Sequence, residues 1–137
     1  MDEQAPPGAE QPLLIDPFDP LTDPRDHIVF RRERVQRHER WRPHGVTPRG
    51  AATIRICGLD RASLLDRYRD HVIDQVRPKV ERFENDLATR DARVITESWS
   101  TLRRSLLSPG QEFCGLTRDA LEVLVPSPIR LEFHLAF

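Results

Sequence analysis

Five histidines, a run of aspartates and an arginine-rich stretch are the parts of this 137-residue chain whose residue types could do chemistry. His71 is the best placed histidine. It falls in a helix pattern beside Asp70 and Asp74, and Asp74 lies one turn away, where a carboxylate could orient an imidazole for proton transfer. An isolated histidine bordering an apolar stripe is more often a structural partner than a base, and His27, His38, His44 and His134 are scattered. Asp16, Asp19, Asp23 and Asp26 are numerous enough for a cation site, and a metal-dependent nuclease centre would be built from Asp16, Asp19, Asp23 and His27. Three of these aspartates precede prolines at spacings unlike a calcium loop, so they read first as turn formers. Ser105, Ser108 and Ser127 lack the glycine-framed elbow of a serine hydrolase. Gly45 and Gly50 bracket Pro48 without the Lys and Ser or Thr of a phosphate loop. Cys57 and Cys114 have no partner at ligand spacing and read as small buried apolar residues. These residues assign no catalytic group, no metal and no cofactor.

The other chemistry in the chain is electrostatic. Arg31, Arg32, Arg34, Arg37, Arg40 and Arg42 stand with His38 and Trp41, offset only by Glu33 and Glu39. Such a cluster could hold a nucleic-acid backbone and stack a base on the indole. The competing reading is a solvated hairpin or irregular arm whose charges pair with acids elsewhere. A net charge of −1 and the nearby acidic stretch Asp16 to Asp26 favour it, because nothing global draws the chain to a polyanion. Lys79 is the only lysine, a pattern that GC-rich codon usage produces without functional meaning, so arginine abundance alone argues little for phosphate binding.

The elements that must position these residues centre on Gly50 to Leu87. Thr53 to Cys57 reads as a short β-like run, Gly58 breaks it, and Asp60 is placed to cap a helix. Leu65, Tyr68, Val72, Val76, Val80, Phe83 and Leu87 then recur at steps of three and four, one stripe of a 3.6-residue helix. Pro78 predicts a kink there, or two helices in series. Upstream, Met1 to Pro12 reads as a disordered leader, Leu13 to Ile15 and His27 to Phe30 as short strands, and Pro43 to Gly50 as loop. Downstream, Val94, Ile95, Trp99, Leu102 and Leu106 mark a second helix ended by Ser108-Pro109-Gly110. A third helix covers Glu112 to Leu124, closed by Pro126 and Pro128, and Ile129 to Phe137 alternates like a half-buried strand. The fold class is therefore α+β and largely helical, three or four helices packed with a few short strands in one domain from Leu13 to Phe137. No run is long and apolar enough for a signal peptide or a membrane span, so the expected compartment is the cytoplasm, with no membrane partner.

Several short segments together resemble a known family. Pro12-Leu13-Leu14-Ile15-Asp16-Pro17, Asp23-Pro24-Arg25-Asp26-His27-Ile28-Val29-Phe30, Arg49-Gly50-Ala51-Ala52-Thr53-Ile54, Gly58-Leu59-Asp60-Arg61-Ala62-Ser63-Leu64 and Arg67 are similar to the segment after the nuclease motif in HNH endonuclease proteins. Those proteins are encoded beside an ATPase in Septu-type and some retron phage-defence systems of bacteria. Gln111 to Arg118 is similar to their C-terminal helix. In that family the nuclease half lies upstream, with cysteine pairs for a structural zinc and His and Asn residues for the catalytic metal, and no such residues precede Pro12 here. The resemblance implies a stand-alone partner, a remnant or one piece of a split protein.

The sequence supports as its first reading a non-catalytic interaction module that docks onto an ATPase or nuclease subunit of a defence complex, with nucleic acid reached through that complex. The long stripe has more apolar positions than a small domain easily covers, which nominates Tyr68, Val72, Val76 and Val80 as a partner face. The alternatives are a nuclease or nuclease fragment, and a nucleic-acid binder acting through Arg31 to Arg42 with Trp41.

Overall fold

The structure, a computed structural model, describes residues 23–108 and 110–137. The expected leader, the Leu13 to Ile15 strand, and Asp16 and Asp19 lie outside the described residues. It is a mostly helical α+β fold. Asp23 opens it by accepting the Arg25 N–H at 2.9 Å, which caps one 3-10 turn, Pro24–Asp26. Two antiparallel strands follow, β1 (Ile28–Val35) and β2 (His38–Gly45), registered from Ile28 opposite Gly45 to Val35 opposite His38. The arginine-rich stretch is thus a regular hairpin turned by Gln36 and Arg37, with Gln36 at a positive φ of 60°.

Where a loop and then a strand were expected, the chain forms helix α1 (Pro48–Cys57). The Thr47 hydroxyl accepts the Gly50 N–H at 3.1 Å, and Pro48 starts the helix with its φ already set. Thr53 bonds its hydroxyl back to Arg49 O at 2.7 Å, so a β-branched residue sits in the helix with its polar atom satisfied. Gly58 is the break, at φ 63°, but it ends a helix and not a strand. Gly50 is required for contact: a Cβ there would lie 1.9 Å from the His27 carbonyl oxygen. The turn after Gly58 moves the next helix start on by one residue. Arg61, not Asp60, is the N-cap of α2 (Ala62–His71), and it makes no side-chain cap bond.

Beyond α2 the backbone stays helical through a π turn, Val72–Val76, into α3 (Arg77–Leu87). The interruption expected at Pro78 takes this form: Arg77 N–H reaches back five residues to Val72 O, widening the turn just before the proline ring that has no N–H to give. The stripe then folds inward. Leu65, Tyr68, Val72, Val76, Val80 and Phe83 are all buried, packed with Trp41 and with Ile95, Trp99, Leu102 and Leu106 of α4 (Ala92–Leu107). Asp91 caps α4 by accepting the Arg93 N–H at 3.0 Å. Helix α5 (Cys114–Leu124) closes the same core with Leu116, Ala120 and Leu121.

The last stretch also differs from expectation. Helix α5 ends at Leu124, just before Pro126, as expected, but Pro126 and Pro128 then begin a short helix, α6 (Ser127–Glu132), and no strand pairs with 129–137 among the described residues. Ile129 and Phe133, four apart, fit a helical face as well as a strand face, so alternation alone could not decide. The cysteines differ too: Cys57 is exposed and Cys114 half-buried, because Cys57 lies on the outer side of α1. No helix among the described residues is long and apolar enough to cross a membrane.

Candidate functional site

Strand alternation sorts the hairpin into two faces. Ile28, Phe30, Arg32 and Arg34 share the inner face with Glu39, Trp41 and Pro43, and Trp41 and Pro43 are buried against the helices. Val29, Arg31, Glu33 and Val35 share the outer face with His38, Arg40, Arg42 and His44.

Trp41 is 0% exposed and part of the core. It cannot stack a base, which corrects the expectation from its neighbours in sequence. Its indole N–H donates to Glu39 at 3.3 Å, and Arg77 from α3 donates to both Glu39 oxygens at 2.6 Å. Arg32 adds an ion pair at 3.5 Å. Burial disfavours the charged Glu39 carboxylate, but the Arg77 and Trp41 hydrogen bonds and the Arg77 and Arg32 charges outweigh it, so its pKa falls below the ordinary glutamate value. A depressed carboxyl pKa gives stability that is present above the unfolded value and lost as pH falls through the folded one. Urea midpoints followed from neutral to acidic pH should therefore drop less steeply in Glu39→Gln than in the wild type. Equal slopes would show that Glu39 does not carry the acid sensitivity assigned to it.

One arginine of the outer face is partnered, and a histidine stands beside the same carboxylate. Glu33 accepts from Arg42 at 3.3 Å and lies 3.4 Å from His44. Arg31, Arg34, Arg37 and Arg40 make no ion pair among the described residues: Arg31, at mid-strand, and Arg40 are on the outer face, Arg34 is near the turn on the inner face, and Arg37 is in the turn. The hairpin thus divides the six predicted arginines: Arg32 and Arg42 are tied to glutamates, and four point their charge at solvent or at whatever approaches. Such an arrangement can hold an anionic surface.

Tyr68, Val72, Val76 and Val80 are at 3, 0, 0 and 3% exposure. The expected partner face is therefore the interior of this chain, covered by α4, α5 and the hairpin that the sequence stripe could not show folding over it. His71 does not pair with Asp74. Its Nε2 lies 2.7 Å from the hydroxyl of buried Thr117, its ring stands edge-on to Phe113, and burial lowers its pKa, with Glu112 pulling the other way. That is a helix-to-helix fastening. Of the proposed nuclease ligands, Asp23 is spent on its cap and His27 Nδ1 is 2.7 Å from the Thr47 hydroxyl. No three His, Cys, Asp or Glu side chains come together for a metal among the described residues.

Sequence reasoning missed Arg77 and Asp119. Asp119 lies on α5, is 9% exposed, and accepts the Phe30 N–H at 2.7 Å, which fastens β1 to the helices; burial raises its pKa despite that bond and the nearby Arg25. A polar residue on the inward side of the Leu116 to Leu124 pattern was the signal for it. Fold and site together define a helical domain that carries a basic two-stranded ribbon. Comparisons with known protein families, curated proteins and solved structures find no match.

Proposed function

We propose that this chain is a non-catalytic interaction module, acting in the cytoplasm, of the kind that follows the nuclease motif in HNH proteins of ATPase-linked phage-defence systems. The outer face of the hairpin is its contact surface, and an ATPase or nuclease subunit presenting an acidic patch is its partner. The observation that supports this reading is that Arg31 and Arg40 on the outer face, with Arg37 in the turn and Arg34 near it, have no carboxylate partner among the described residues, on a ribbon whose inner face is anchored in the core. Complementary charge of this kind sets encounter rate and orientation. The apolar stripe has no part in the contact. Nucleic acid is reached through the complex, since the ribbon lacks an exposed aromatic group on which a base would stack.

The test is size-exclusion chromatography of the chain mixed with an ATPase encoded beside it, and separately with an HNH subunit. A complex should form with one of them and be lost in Arg31→Glu/Arg40→Glu at unchanged melting temperature. A complex that survives the double reversal would remove the hairpin from the interface.

A further inference from the structure

A second cationic site lies away from the outer face of the hairpin. A cavity of about 560 Å³ opens between the C-terminal end of α4, the first turn of α5 and Phe137. That is within the size range of small-molecule sites. Arg25, Arg103, Arg104 and Arg118 all line it, with Asp23 as the one acidic side chain among its lining residues. Arg25 is already committed to Asp119 and Glu122, at 3.7 and 3.5 Å. The other three have no ion pair among the described residues. Arg103 donates to Ala136 O at 2.8 Å and Arg104 to Ser100 O at 3.4 Å, which leaves most of their N–H groups unspent. Arg118 lies over the Phe137 ring, 5.3 Å from its centroid, and its Nε is buried with no hydrogen-bond partner among the described residues.

Three guanidinium groups from two helices line one wall, a concentration of positive charge that attracts an anion. The first turn of α5 adds to the same field. Its N-cap, Phe113, sits at φ 56° and supplies no side-chain acceptor, and Gly115 brings the backbone into the wall. Guanidinium forks with helix N–H groups fit a phosphate, whose charge near −2 and three oxygens accept from several donors at once. Leu107 and the ring of Phe137 give the remainder of the cavity an apolar wall.

We propose that this cavity binds a small phosphate monoester carrying an apolar or aromatic group. Arg103, Arg104 and Arg118 grip the phosphate with the α5 first turn, and Leu107 and Phe137 cover the rest. The site is independent of the hairpin and of the partner assigned to it.

Calorimetric titration of the full chain with AMP, inorganic phosphate and adenosine separates the sources of binding. AMP should bind, phosphate should bind more weakly at the same site and compete, and adenosine should not bind. Arg104→Gln, at an exposed position, and Arg118→Gln should each weaken AMP about tenfold or more, the loss expected for a charge-assisted hydrogen bond. Arg104→Gln should leave the ligand-free melting temperature unchanged, and Arg31→Glu/Arg40→Glu should leave AMP affinity unchanged. No binding of AMP or phosphate at millimolar concentration would overturn the proposal. So would equal AMP affinity in wild type and Arg104→Gln, or loss of AMP binding on changing the hairpin.

Discussion

Trp41→Ala should lower the unfolding free energy by about 3–5 kcal/mol, the range for deleting a large aromatic side chain from a packed interior. The indole is 0% exposed, lies in the same cluster as Tyr68, Val72 and Leu65, and donates to a glutamate that two arginines also hold. The change removes the one large, fully buried side chain by which the ribbon, together with half-buried Phe30, is seated on the helices among the described residues, and it takes one donor from Glu39. Trp41→Phe keeps most of the volume and should cost clearly less. Urea denaturation of both variants checks this, and a Trp41→Ala midpoint near the wild-type value would mean that the ring is not in the core.

Phe83→Ala carries the next largest effect, again about 3–5 kcal/mol. Phe83 is 1% exposed in α3 and its ring stands 5.5 Å from that of Trp99 in α4, so its loss opens a void between the two helices. Ile73 is the control. It is on the same helical run but 45% exposed, and Ile73→Ala should change stability by no more than about 0.5 kcal/mol. Similar losses at both positions would show that the apolar stripe does not define which side of 62–87 faces inward.

That stripe was the most legible feature of the sequence. Six apolar residues from Leu65 to Phe83 at helical spacing carry enough period to fix a face, whatever the rest of the chain does. Its meaning was not legible. Whether such a face meets a partner or the same chain depends on α4, α5 and the hairpin arriving over it, and those are contacts between residues far apart in sequence. The hairpin was readable as an alternative to an irregular arm, yet the inward turn of Trp41 depends on register, and a shift of one residue would have put it outside.

Short segments were read least well. In α1 the β-branched residues Thr53, Ile54 and Ile56 spoke for a strand, while the Thr47-Pro48 start, a three-atom capping geometry, decided for a helix. At 129–137 the same ambiguity was settled by the absence of a neighbouring strand to pair with among the described residues. The arginines of the α4–α5 cavity gave no joint signal, because Arg103 and Arg104 read naturally as a helix end and Arg118 stands fourteen positions beyond Arg104 in the sequence.

That the hairpin arginines face a protein and not phosphate is tested most directly by fluorescence anisotropy of the isolated chain with labelled single- and double-stranded DNA and RNA, from low salt to about 0.15 M. The account predicts dissociation constants weaker than about 1 µM at the higher salt, the range of non-specific contact, with no difference on changing Arg42 beyond a small loss of charge. Sub-micromolar binding at that salt, with a salt slope that falls when Arg31 and Arg40 are neutralised, would contradict it and give the ribbon to nucleic acid.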